Sequence, residues 1–198
     1  MTDLSAYATA RNLIDAAHAA DPSLLADGRP AELIYADRVE LWVEKLIPEA
    51  TPLLRLAARC QHLERWRVPR NSFPEGKIGY LSWRKSLYDK QADRAAELLT
   101  QAGVSPEESE EARTWISKSG LKVNPGTQAL EDAAILVFLE NEIEDFAAQH
   151  GDYTREKFVD ILRKSWRKLS PAAQAAAATL HLSPLISELV QEALGSPS

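Results

Sequence analysis

Between Gln61 and Arg70 the chain reads Gln-His-Leu-Glu-Arg-Trp-Arg-Val-Pro-Arg, one histidine among three arginines and a tryptophan. His62 and Arg65 lie three residues apart and Arg59 precedes His62 by the same interval, so a helix would place them on one face. The loop that follows supplies Arg70 and Lys77, and the next helix opens with Tyr80, Trp83, Arg84 and Tyr88. Guanidinium forks bind phosphate oxygens in pairs, and aromatic planes hold a base or a sugar ring. The cluster reads as an anion site for a small phosphorylated ligand. The alternative is packing, with Trp66 and Trp83 in the core and the arginines paired with the acids of 131–145.

A second constellation is Glu131-Asp132, set directly before the apolar run Ala133–Leu139. Carboxylates on so apolar a helix are costly to bury unless a cation or a metal accompanies them. Asp132 or Glu131 opposite His62 would make a divalent-metal site or a proton-transfer pair; an ion pair with an arginine of 59–70 is the structural alternative. His18, His150 and His181 have no companion at ligand spacing and read as structural. The chain contains no phosphate-cradling glycine loop, nucleophile elbow or paired-histidine zinc helix.

Charge is unevenly distributed. Of 198 residues, 29 are Asp or Glu and 23 Lys or Arg, for a formal charge of −6. Residues 55–94 nevertheless carry ten basic and four acidic side chains, leaving the remainder at −12. The acidity argues against a general nucleic-acid coat, while the basic window marks where an anion would collect. RNA stacking on the Trp, Tyr and Arg of 65–88 is a third possibility, and the acidic remainder weighs against it. No membrane partner is expected, because no stretch approaches the ~18 consecutive apolar residues of a spanning helix. Asp3, Arg11 and Asp15 occupy positions where a signal peptide would be apolar. The lone Cys60 excludes an intramolecular disulfide and a multi-cysteine zinc site, and suits a reducing cytoplasm.

The elements that must position these groups are helices. Apolar residues recur at helical spacing over 3–20, from Pro30 to Pro48, and from Pro52 towards Pro69. A Pro- and Gly-rich loop follows, with helix resuming near Tyr80 and running to Ala102 before Gly103. Ser105-Pro106, Thr154, Ser170-Pro171 and Ser183-Pro184 are helix-start signatures, and a long helix is predicted over about 127–149. The expectation is an all-α single domain over 1–198, of about eight helices, frayed at 195–198.

The runs RLAARCQHLERWRVPRNSFPEGKIGYLSWRKSLY, EDAAILVFLE and KSWRKLS resemble the family called domain of unknown function 4202, over nearly the whole chain. The order of segments also resembles the HD-domain superfamily of helical, metal-dependent phosphohydrolases. In that likeness Tyr35 and Arg38 fall on a histidine-bearing helix, and Gln61-His62 replaces the His-Asp doublet. Gln91 falls where a further histidine lies, and Asp132 matches a late aspartate. The likeness implies an HD-like fold and hydrolysis of a nucleotide or other small phosphoester. His62 and Asp132, helped by Glu131, would hold the metal, and Arg65, Arg67, Arg70 and Arg84 would take the phosphoryl oxygens, near Tyr80, Tyr35, Arg38 and Gln91. The alternative is a binding protein that uses the same arginines without catalysis.

Overall fold

The computed structural model describes residues 3–195, and ten α-helices are found among them. These are α1 (Leu4–Ala19), α2 (Ala31–Leu46), α3 (Pro52–Arg59), α4 (Gly76–Gln101) and α5 (Pro106–Ile116), then α6 (Pro125–Val137), α7 (Ile143–Gln149), α8 (Arg155–Lys168), α9 (Pro171–Ala177) and α10 (Pro184–Gly195). The described residues form no strand, only an isolated bridge between Leu24 and Pro30, so the chain is all-α. Of the tail expected to fray, Gly195 ends α10 and 196–198 lie outside the described residues. No described helix is long and apolar enough to cross a membrane.

Helix starts follow the side chains that satisfy their orphan amides. Thr51, Ser105, Thr154 and Ser170 each accept a backbone N–H three residues on, at 3.2–3.3 Å, and all but Thr154 are followed by proline. Helix α2 has Pro30 at its cap position and no local side-chain acceptor. Asp21 serves instead, its two oxygens accepting the N–H of Ser23 at 2.9 Å and of Glu32 at 3.0 Å. The first turn of α2, with the Glu32 side chain, is thereby anchored to the end of α1.

Two compact units make up the chain, one up to Leu130 and one from Glu131 onward, with the boundary inside α6. In the first, α1 packs against α2, α3 and α4, while α5 packs against α3 and α4. Ile14, Val39, Val43, Leu56, Leu99 and Ile116 are buried there. Each stabilises the fold by roughly 1.5–3 kcal/mol relative to exposure. Arg59 is buried with them, only 2% exposed, at the end of α3. Its Nη1 donates to Asp37 and Glu40, both at 2.7 Å, and its Nε donates to Asp15 at 2.8 Å. One guanidinium thus ties α1, α2 and α3 together, and its backbone carbonyl accepts the buried His18 Nε2 at 2.7 Å.

The helix predicted to continue to Pro69 ends at Arg59. Beyond Cys60 the chain turns, with His62 at φ 61° and Glu64 at φ 51°, and then makes two 3₁₀ turns, Arg65–Arg67 and Arg70–Ser72. Val68 and Phe73 pack with Trp83 and Leu87 of α4, and Trp83 Nε1 donates to the Val68 carbonyl at 2.8 Å. Wrapping the segment onto α4 buries this apolar cluster, which a straight continuation of α3 would not do.

The helix expected over 127–149 is continuous but contains a π-helical turn, Phe138–Glu142, between α6 and α7. Phe138, Tyr153 and Phe158 surround Phe146 with ring centroids 5.5–6.2 Å away, and α8 packs against α10.

Candidate functional site

Three elements of the first unit position His62. Helix α2 presents Glu32 and Tyr35, which lie three apart and so share a face. The left-handed turn after α3 presents His62 itself, with Arg65 on the following 3₁₀ turn. Helix α4 carries Arg84, one residue after the buried Trp83.

The imidazole is contacted by Tyr35, Arg65 and Glu32. Its plane stacks on Tyr35, with centroids 3.9 Å apart and planes within 6°. Arg65 Nη1 lies 2.8 Å from Nε2 and 3.3 Å from Nδ1, and Glu32 Oε2 lies 3.2 Å from Nδ1. A guanidinium nitrogen this close to both ring nitrogens lies over the ring. Burial, followed by the fields of Arg65, Lys118, Arg84 and His18, holds the imidazole well below its usual range. Burial likewise pushes the Glu32 carboxyl up to about 7, against an opposing pull from Arg65. The Cys60 thiol is fully buried and pushed up to about 12, which removes it as a nucleophile.

The basic window divides into two groups. Arg55 pairs with Glu44, Lys85 with Asp89, and Glu64 takes both Arg67 and Arg94, so these charges are neutralised locally. Arg67 is exposed while its partner Glu64 is part-buried, and Arg70 donates to the carbonyls of Phe73 and Pro74, clasping its own loop. Arg65 and Arg84 differ. Arg65 bonds the neutral imidazole and lies over the Trp83 ring at 5.1 Å. Arg84 bonds the hydroxyls of Tyr80 and Tyr88 and lies over both rings, at 5.9 and 5.4 Å.

The remaining candidates are placed as follows. Arg38, one turn after Tyr35, is part-exposed. Gln91 is buried on α4, seven residues after Arg84 and so on the same stripe, and its Nε2 has no hydrogen-bond partner among the described residues. Glu131 pairs with Lys168 Nζ at 2.9 Å, and Asp132 accepts the Ser170 N–H at 2.9 Å. Both contacts lie within the second unit, where they join the EDAAILVFLE and KSWRKLS runs. Among the described residues no three His, Cys, Asp or Glu side chains converge as metal ligands would.

Sequence reasoning overlooked Glu32 and Lys118. The i, i+3 relation of Glu32 to Tyr35 was available as a signal; nothing local marks Lys118, which sits at φ 63° after α5.

These features define an all-helical protein with a neutral imidazole set beside a carboxylate and a guanidinium. The chain belongs to the family described as Domain of unknown function (DUF4202), whose model matches residues 8–190. Neither the curated proteins nor the solved structures contain a match to it.

Proposed function

We propose that this chain binds a small phosphorylated ligand, a nucleotide or another phosphoester, at the imidazole of His62. One observation carries the reading: among the described residues Arg65 and Arg84, both acting on that imidazole, have only neutral hydrogen-bond partners. Other arginines of the same window found carboxylates in this acidic chain. Two guanidiniums left with an imidazole and two phenols are suited to a dianion, which takes charge-assisted bonds from both. The rings of Tyr80 and Tyr88 beside Arg84 suit a base or sugar attached to the phosphate.

The test is thermal denaturation in EDTA with inorganic phosphate, pyrophosphate and a set of nucleotides. A phosphorylated compound should raise Tm without added metal, and Arg65→Gln with Arg84→Gln should abolish the rise. A shift that survives the double substitution places the ligand elsewhere.

A second reading, the HD-like metal-dependent phosphohydrolase, draws support from Tyr35 and His62. These two positions, far apart in sequence and aligned with HD histidine-bearing segments, come together in space. A divalent ion nevertheless fits His62 poorly. Arg65 Nη1 lies against both ring nitrogens, the cations of Arg65, Lys118 and Arg84 oppose a dication, and Tyr35 stacks its ring face on the imidazole. Elemental analysis of protein purified without chelator separates the two readings: a stoichiometric metal lost in His62→Asn and Asp132→Asn would favour the second.

A further inference from the structure

We infer that the phosphate site of the first unit takes two or more linked phosphates, as in a nucleoside di- or triphosphate or an inorganic polyphosphate, with Lys118 as its third cation. This rests on the binding reading above and deepens it by naming the ligand class. Helices α4 and α5, joined by the short turn 102–105, pack as an antiparallel hairpin, and Arg113 Nε donates to Asp93 across it at 2.8 Å. Lys118 lies five residues beyond Arg113, which returns it to the level of Tyr88, five residues before Asp93. Arg84 bonds the Tyr88 hydroxyl, and Arg65 lies over the ring of Trp83 at 5.1 Å. Arg65, Arg84 and Lys118 therefore form a row along α4 between the levels of Trp83 and Tyr88, about 7.5 Å long. The fields of all three cations reach the His62 imidazole, that of Lys118 ahead of that of Arg84. Glu32, against the same ring, offsets at most one of the three charges. A single phosphate is shorter than this row. Two or three in sequence match it, and each takes its own charge-assisted bond.

The backbone supplies a second, independent observation. Helix α4 ends with Gly103 at φ 89°, and the Val104 N–H bonds the Leu99 carbonyl at 3.0 Å. Helix α5 ends in the same motif, with the Ser119 N–H on the Thr114 carbonyl at 3.3 Å, but its left-handed position holds Lys118 at φ 63°. Glycine occupies such a position without steric cost, and a lysine does not. The Lys118 ammonium nitrogen is also enclosed, where a surface lysine would extend it into solvent. The fold thus accepts a disfavoured residue at the one point of this turn that brings a cation to the level of Arg84 and Tyr88.

The experiment is isothermal titration calorimetry on the full chain in EDTA. One arm uses inorganic phosphate, pyrophosphate and triphosphate, and the other uses nucleoside mono-, di- and triphosphates. Pyrophosphate should bind about 10–100-fold more tightly than phosphate, the worth of one further charged hydrogen bond. Lys118→Gly should cancel that gain while leaving phosphate affinity little changed and Tm no lower, because glycine fits the left-handed backbone. Lys118→Arg, which keeps the charge, should retain most of the gain. A nucleoside diphosphate that binds more tightly than pyrophosphate identifies an organic ligand held by Tyr80 and Tyr88; equal affinities of these two identify the inorganic chain, and either outcome supports the inference. Phosphate and pyrophosphate binding equally, or a gain that survives Lys118→Gly, overturns it and leaves the binding reading standing. Absence of binding by every one of these compounds overturns the binding reading itself.

Discussion

His62 and Tyr35 lie flat against each other, centroids 3.9 Å apart and planes within 6°, although 27 residues separate them. The stack sets the ring plane beside Glu32, 3.2 Å from Nδ1, and Arg65, which lies close to both ring nitrogens. Aromatic pairs of this kind contribute ~0.5–1.5 kcal/mol beyond area burial. Tyr35→Phe should keep the ring stack on His62. Tyr35→Leu should lose about 1–3 kcal/mol in urea denaturation. It should also remove the upfield ring-current displacement of the His62 ring protons. Unchanged His62 signals in Tyr35→Leu would show that the stack is absent in solution.

Arg59 is enclosed by Asp15, Asp37 and Glu40. Removing one partner of a buried ionic cluster leaves the others uncompensated and typically costs ~3–5 kcal/mol. Arg59→Met should lower stability by about that amount, and Arg59→Lys should recover little, because an ammonium lacks the planar fork that reaches three carboxylates. Urea denaturation measures both, and a loss below about 1 kcal/mol in Arg59→Met would contradict the network's role.

The Glu32 carboxyl, raised by burial to about 7 from 4.5, gives a pH signature. The folded chain holds this proton more tightly than the unfolded chain does. Its contribution is therefore fully present below pH 4.5 and is lost as pH rises through 7. Glu32→Gln cannot ionise. It should match the parent near pH 4.5 and exceed it at pH 8 by up to about 3 kcal/mol. Denaturation at the two pH values checks the sign, and a variant less stable than the parent at pH 8 would contradict the assignment.

Gly79, in the first turn of α4, passes so close to the preceding loop that a Cβ would lie 1.8 Å from the Pro74 carbonyl oxygen. That oxygen is also an acceptor for Arg70. Gly79→Ala must push the loop off the helix, at a cost of about 1–3 kcal/mol. Because α4 carries Arg84, it should also weaken the phosphate-induced Tm shift. Calorimetry with and without pyrophosphate reads both effects.

Much of the fold was legible because its punctuation is local. Ser105-Pro106 and Ser170-Pro171 announce helix starts through one hydroxyl and one ring, and both hydroxyls make the expected cap bond. The end of α3 was not legible. Apolar residues continue at helical spacing past Arg59, and the turn comes from His62 and Glu64, neither of them a glycine, held left-handed by packing against distant α4. His62 and Arg65 do meet, across a turn and not along a helix face. The π turn at Phe138–Glu142 similarly leaves no mark in composition. In the site, the arginine cluster was visible as a run of charge. Which of its members face carboxylates and which face neutral rings depends on residues from α2 and α4, and periodicity carries no information about that.

The left-handed backbone at His62 and Glu64 has a consequence for how this chain can change. Each such residue costs roughly 1–2 kcal/mol that glycine would not incur. Selection for heat resistance alone would favour glycine at both positions, erasing the imidazole and the carboxylate that holds Arg67 and Arg94. Persistence of histidine at this turn in a thermally adapted member of the family would mark the imidazole as the trait being retained.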